Sequence, residues 1–305
     1  MPVIPAPGDH GGDGQRLARA LGLGDVLDLS MSLNPVAPDP APVVARHAGA
    51  ARLYPDPADA TAALATAIGV PAGRLVLTNG GSEAIALVAA ALGEGWVDEP
   101  EFSLYRRHLP SLRRGAPRWR SDPRNPTGEL APPGDTAAVW DEAFYPLATG
   151  RWTSGRAERG AVVLGSLTKL FACPGLRLGF VLAPSDALAE DVRRRQPRWA
   201  VNGVALAAVP DFLAVADLPA WQQEVARLRA ALVEVLAAHG LRAAPSDANY
   251  VLVDAPGLRE RLAPHGVLVR DCASFGLVGT ARVAVPDEAG LDRLDDALRH
   301  LSSRP

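Results

Sequence analysis

Apolar residues in this chain fall into short runs that read as buried strands, separated by stretches with helical spacing. The runs Val26–Ser30, Arg74–Thr78, Ala137–Trp140, Ala161–Gly165, Ala248–Val253 and Thr280–Val285 predict strands. Between them, Gln15–Leu23 (closed by Gly24), Asp59–Ile68, Ala84–Leu92, Ser185–Arg195 and Gly257–Ala263 predict helices. The clearest helical period lies in Trp221–His239, where Val225, Leu228, Leu232 and Leu236 recur on one side, so this helix is expected to link two lobes. Residues 1–15 are rich in Pro and Gly and predict an irregular arm. From Tyr105 to Asp141 the pattern thins. Residues 106–124 are basic and short of apolar runs, and only a short helix is expected at Leu130–Thr136, broken by Pro132-Pro133.

Composition narrows the class. The chain has 305 residues, long enough for a full core and more than one lobe. Hydrophobic residues make up 48% and charged residues 21%, as in ordinary globular proteins. A net charge of -3 gives no reason to expect a nucleic-acid partner. No apolar run reaches membrane-spanning length, and Met1–His10 lacks the regions of a signal peptide. Two cysteines, Cys173 and Cys272, make no disulfide framework; a reducing cytoplasm is the expected setting, and no metal is expected.

The candidate chemistry centres on Ser166-Leu-Thr-Lys-Leu-Phe-Ala-Cys-Pro-Gly-Leu-Arg-Leu-Gly-Phe180, which the Ala161–Gly165 strand enters directly. Lys169 follows the hydroxyls of Ser166 and Thr168, and Arg177 lies just past Pro174-Gly175. A lone lysine after a strand is usually a solvated charge. Here small and apolar residues, two hydroxyls and a guanidinium surround it in sequence. That grouping suits a lysine joined to a carbonyl cofactor as a Schiff base, with the hydroxyls and Arg177 on the cofactor's phosphate. Upstream, the Arg74–Thr78 strand enters Asn79-Gly80-Gly81-Ser82-Glu83 and then a helix. Strand, glycine turn and helix form an anion cradle, because the first helical N–H groups and the positive helix end face the same point. The turn lacks G-x-G-x-x-G, which disfavours a dinucleotide. Asp141 ends a short strand, where a carboxylate can pair with a protonated ring nitrogen.

These motifs resemble those of fold-type-I pyridoxal-phosphate (PLP) enzymes, within the class I/II aminotransferase superfamily. The resemblance runs in order from His10 to about Val285 and is strongest to the L-threonine-O-3-phosphate decarboxylases of cobalamin synthesis, with histidinol-phosphate aminotransferases next. It implies a fold with a large domain, built on a mixed, mostly parallel sheet, and a smaller α+β domain. The expected division is 1–45 for the arm and a small-domain segment, 46–212 for the large PLP-binding domain, and 213–305 for the small C-terminal domain. By the same resemblance, Lys169 carries PLP, and Gly81, Ser82, Ser166, Thr168 and Arg177 hold its phosphate. Phe102, in Pro100-Glu-Phe-Ser-Leu-Tyr105, stacks on the ring; Asn125 of Asn125-Pro-Thr-Gly128 bonds the ring oxygen; Asp141 of Asp141-Glu-Ala-Phe144 pairs with the ring nitrogen. Tyr54 reaches the cofactor of a neighbouring subunit, so a homodimer with shared sites is implied. His10, Ser32, Asn34, Arg270 and Arg282 are the implied substrate ligands, with Arg282 on a carboxylate and His10 and Arg270 on a phosphate.

Two positions depart from the resemblance: Ser32 stands where an Asn is usual, and Pro286 where another Arg often follows. The implied reaction is decarboxylation of L-threonine O-3-phosphate to (R)-1-amino-2-propanol phosphate, or of a similar phosphorylated amino acid. A histidinol-phosphate-type aminotransferase is the alternative. A degenerate, non-catalytic PLP-fold binding protein is a third reading, prompted by the shortened 105–140 region.

Overall fold

The computed structural model describes residues 4–302 apart from Asp9; residues 1–3, where the expected arm begins, and 303–305 lie outside the described residues. Among the described residues ten strands form two sheets. They are β1 (Leu27–Leu29), β2 (Leu75–Asn79), β3 (Trp96–Val97), β4 (Arg118–Ser121), β5 (Val139–Asp141), β6 (Val162–Gly165), β7 (Leu178–Leu182), β8 (Tyr250–Asp254), β9 (Val267–Asp271) and β10 (Thr280–Ala284).

The larger sheet has the order β2–β7–β6–β5–β4–β3. β3, β4, β5 and β6 run parallel, and β7 is antiparallel to both of its neighbours, so the sheet is mixed and mostly parallel. Its central strands are apolar throughout: all of Val162–Gly165 and Leu178–Leu182 is buried, as expected for strands covered on both faces. The smaller sheet has the order β1–β9–β10–β8. Its outer member β1 comes from the N-terminal part of the chain and pairs parallel with β9, Leu27 opposite Val267.

The helix Leu218–Ala238 joins the two cores. Leu218, Trp221 and Val225 pack into the cluster beneath the large sheet; Leu228, Leu232 and Leu236 pack into the cluster beneath the small one. One continuous apolar stripe therefore serves both lobes, and the 3.6-residue period seen in the sequence is its cause. Among the described residues no single helix is long and apolar enough to cross a membrane.

Several boundaries differ from the sequence expectation. The first helix is Gly14–Leu21, closed by Gly22 in the left-handed region rather than by Gly24. The helix expected from Ala84 begins at Gly80, so the glycine turn is itself the first helical turn. The larger correction lies between β4 and β5. Leu130–Thr136 is not helical: Pro132, Pro133 and Gly134 prevent it. Charge covers the sheet there instead. Arg118 donates to Asp135 at 2.5 Å, and Arg120 pairs with the same carboxylate. Arg156 lies 3.6 Å over the Trp140 ring, while also pairing with Asp122 at 2.5 Å and Glu142 at 3.4 Å. Trp140 is 1% exposed, so this lid of guanidinium and carboxylate groups closes the face without a helix.

Candidate active site

A cavity of about 330 Å³ opens between the two sheets. It is lined from the large sheet by Gly81, Ser82, Phe102, Asn125, Asp141, Phe144, Ser166, Thr168, Lys169 and Arg177, and from the small-sheet side by His10, Ser30, Met31, Arg270, Phe275 and Arg282. Most motif residues separated along the chain therefore meet in one place.

At one end lies an anion cradle. The helix Gly80–Leu92 points its N-terminus at the cavity, and Ser82 follows on the first turn. Gly80 has φ +75°, and a Cβ there would stand 2.5 Å from the Arg177 guanidinium. Only glycine lets Arg177 lie down on the turn. A Cβ at Gly179 of β7 would sit 2.6 Å from the Gly80 carbonyl carbon, so that glycine admits the helix end against the sheet. Gly81, by contrast, has open space where its Cβ would be. Unpaired N–H groups, a helix dipole, Ser82, Ser166 and a guanidinium make a donor set that fits a phosphate.

Lys169 stands beside this cradle in the short helix Leu167–Leu170. Among the described residues no hydrogen-bond or ion-pair partner holds its amine. Burial, then the charges of Arg282 and Arg177, bring that amine down to about 8. Its segment is held from behind. Asn34 donates its backbone N–H to the Lys169 carbonyl at 3.0 Å and its side-chain amide to the Leu170 carbonyl at 2.9 Å. Thr168 donates its hydroxyl to the Leu178 carbonyl at 3.0 Å and accepts from the Leu178 N–H at 3.1 Å.

Further into the cavity, Asp141 ends β5. Its Oδ2 accepts from the Tyr105 hydroxyl at 2.8 Å and its Oδ1 from the Ala143 N–H at 3.0 Å. Burial raises its pKa, and these two hydrogen bonds oppose that rise. Phe102 packs edge-on to Tyr105 at 5.9 Å and lies 5.7 Å from the His10 ring. Asn125 accepts from Arg282 through Oδ1 at 2.5 Å.

Arg270 and Arg282 stand directly opposite each other on β9 and β10, at 4% and 6% exposure. Arg270 donates to the Gly8 carbonyl at 3.1 Å and to the Ser274 hydroxyl at 2.9 Å. Arg282 lies 4.7 Å over the Tyr250 ring and donates to the Ser30 carbonyl at 3.3 Å. Burial lowers both pKa values, Arg270 to about 10, with Arg282 the next cause there. Two like charges sharing a cavity favour a ligand with two anionic groups.

Four expected ligands sit differently from the rest. Asn34 and Ser32 lie behind the lining rather than over the cavity; Asn34 is committed to backbone groups, and the fully buried Ser32 hydroxyl has no partner among the described residues. Thr168 lines the cavity, but its hydroxyl is occupied by Leu178. Tyr54 is 79% exposed, packs against Trp199 with the rings 4.5 Å apart and tilted by 30°, and is not part of this chain's own lining. Ser30 and Met31 also line the cavity and carry no local signal in the sequence. Tyr105 and Phe275 close the motifs that begin at Pro100 and Arg270, but no role was expected of either; Tyr105 holds Asp141, and Phe275 lines the cavity.

The donor set fits PLP on structural grounds: an anion cradle where Gly80 leaves room for the Arg177 guanidinium, a lysine of depressed pKa beside it, and a carboxylate at the far end. Known proteins agree. The aminotransferase class I and II family model matches residues 121–298. The chain is 30% identical to a histidinol-phosphate aminotransferase from Symbiobacterium thermophilum, covering 92% of each chain. It is 31% identical to a threonine-phosphate decarboxylase from Salmonella typhimurium, covering 96% of each. The solved structure of histidinol-phosphate aminotransferase from Sinorhizobium meliloti in complex with pyridoxal-5'-phosphate shares the fold, with a TM-score of 0.83 at 19% identity over 98% of this chain and 96% of that one.

Proposed function

This chain belongs to the class I and II aminotransferase family, whose cofactor is PLP, and from that premise we propose that it decarboxylates L-threonine O-3-phosphate, or a closely related phosphorylated amino acid, to the amino-alcohol phosphate. The observation that carries this reading is the cross-strand pair Arg270 and Arg282, two buried guanidinium groups lining the cavity that holds Lys169.

Lys169 would hold PLP covalently, with Gly81, Ser82, Ser166 and Arg177 on its phosphate, Phe102 against its ring, Asn125 at the ring oxygen and Asp141 at the ring nitrogen. When bound, PLP supplies a carbonyl that amines condense with and a ring that withdraws electron density. The protein supplies position and charge. Thr168 and Asn34 keep the lysine segment still through backbone hydrogen bonds. Asp141 stabilises a protonated ring nitrogen, and Tyr105 orients that carboxylate. Arg282 takes the substrate carboxylate as a bidentate fork; Arg270 and His10 take the phosphate. The two anchors fix how the substrate's Cα lies relative to the cofactor plane, and so which of its bonds is set to break. Homodimeric assembly belongs to this proposal, with Tyr54 reaching the cofactor of a second copy. So does a cytoplasmic setting, since Cys173 and Cys272 are free and buried in separate clusters.

Phe144 supports decarboxylation over amino transfer: histidinol-phosphate-type aminotransferases commonly have Tyr at that position, and among the described residues no tyrosine of the same chain lines the cavity. Amino transfer from histidinol phosphate stands as the second reading, favoured by relatives of that name at similar identity. The convergence of Asn125, Asp141, Lys169 and Arg177 argues against a non-catalytic binding protein. The test supplies L-threonine phosphate to the PLP-loaded protein and measures carbon dioxide together with the state of the cofactor. Carbon dioxide release in many turnovers is expected; stoichiometric pyridoxamine phosphate without carbon dioxide establishes the aminotransferase instead.

A further inference from the structure

Glu101 is outside the cavity lining, yet it begins a line of hydrogen bonds that ends inside it. The residue is 1% exposed. Its Oε2 accepts from the Ser121 hydroxyl at 2.5 Å, and its two oxygens share the Ser121 N–H at 3.2 and 3.3 Å. The Ser121 hydroxyl accepts in turn from the Asn125 N–H at 2.7 Å. Asn125 Oδ1 accepts from Arg282 Nη1 at 2.5 Å. Glu101 and Ser121 are 1% and 2% exposed, so at that end of the line no solvent absorbs a change.

We propose that Glu101 is a positioning residue for anion recognition: through Ser121 it fixes Asn125, and thereby the direction in which Arg282 presents its guanidinium to the ligand's carboxylate. This rests on the reading of Arg282 as a carboxylate ligand. Phe102 follows Glu101 directly, so the same carboxyl also anchors the loop that carries the ring-facing aromatic. The groups that face Glu101 are Ser121 on β4, Arg124 after it, Tyr105 on the helix Ser103–His108, Asp141 on β5 and Tyr250 on β8. The nearest cation, Arg124 Nε, stands 3.6 Å away. Burial outweighs Ser121 and Arg124 and pushes the Glu101 carboxyl up to about 8, which favours its neutral form at pH 7. Above that pH an added buried negative charge opposes an anionic ligand.

The test uses PLP-loaded protein and two probes that carry no amine and so cannot condense with the cofactor. One is 3-phosphonopropionate, which has both a carboxylate and a phosphonate; the other is inorganic phosphate, which engages the phosphate end alone. Calorimetric titration of E101A should weaken 3-phosphonopropionate about tenfold, the loss expected for one disturbed hydrogen bond to a charged group, while phosphate binding changes less than about twofold. S121A, which deletes a single hydroxyl, should reproduce this and carries the same test should E101A not fold. E101Q should match wild type at pH 7 and lack the loss of affinity that wild type shows as pH rises through about 8. Comparing the two profiles separates Glu101 from any other group titrating there. Unchanged 3-phosphonopropionate affinity in E101A and S121A, or equal weakening of both probes, overturns the inference alone. Wild-type protein that binds PLP but neither probe overturns the ligand reading of Arg282 and this inference with it.

Discussion

Tyr105 donates its hydroxyl hydrogen to Asp141 Oδ2 at 2.8 Å, and this bond makes the carboxylate more acidic than its buried position alone would allow. A hydrogen bond to a charged group contributes roughly 1.5–3 kcal/mol. Tyr105→Phe should therefore raise the Asp141 pKa, loosen its grip on a ring nitrogen and weaken PLP binding by about tenfold or more. Equilibrium dialysis of PLP against the variant measures this. Unchanged affinity, with normal thermal unfolding, would show that Asp141 does not contact the cofactor.

The Lys169 amine reacts only when neutral. Its pKa is depressed to about 8, so the neutral fraction grows as pH rises through that value and is small well below it. The rate at which apoprotein takes up PLP, followed by visible absorbance, should climb between about pH 7 and 9 and then level. Borohydride should reduce the lysine–cofactor linkage, bleaching the visible band and fixing the cofactor to the peptide containing Lys169, and Lys169→Ala should lose both colour and turnover. A variant that kept both would disprove the assignment.

Tyr54 and Trp199 pack against each other on an exposed face beside Leu53, which is 74% exposed. With Tyr54 serving a second copy, Tyr54→Ala and Lys169→Ala proteins are each nearly inactive but regain about a quarter of wild-type activity when mixed, because half of each mixed dimer's sites are intact. An active monomer by light scattering sinks this assignment.

Arg156 covers Trp140 and joins two carboxylates that are 2% and 1% exposed at their side chains. Removing the guanidinium leaves both charges buried without it, a change that costs about 3–5 kcal/mol in comparable sites. Arg156→Ala should lower the urea midpoint markedly, and Arg156→Lys should recover only part, since an ammonium lacks the flat face that lies on the indole. A variant as stable as wild type would show that the charged lid adds nothing.

Much of the site was legible before folding because its parts are local. A lysine after a strand, a glycine turn opening a helix and a carboxylate at a strand end each depend on geometry within a few residues, and such segments fold similarly wherever they occur. The long linking helix was legible for the same reason: its apolar period is written in consecutive turns. The family resemblance added an order to these blocks that spacing alone does not supply.

The side chains suited to holding an anion, an amine-reactive carbonyl and a ring nitrogen can be picked out along the chain, because each suits its task through its own chemistry. Which of them meet depends on how distant segments pack. Arg270 and Arg282 become neighbours only because β9 and β10 pair antiparallel in that register; a one-residue slip would turn one of them to the other face. Asn34 and Thr168 looked like ligands and became supports, because nearby backbone carbonyls and N–H groups claimed them when the lysine segment packed. Pro132, Pro133 and Gly134 already rule out a helix at Leu130–Thr136, but that an ion-pair lid covers the sheet there was decided by packing, which brought Arg118 and Arg120 to Asp135 and Arg156 to Asp122. Pairings across long separations follow from the burial of whole faces at once, and no window of the chain contains that information.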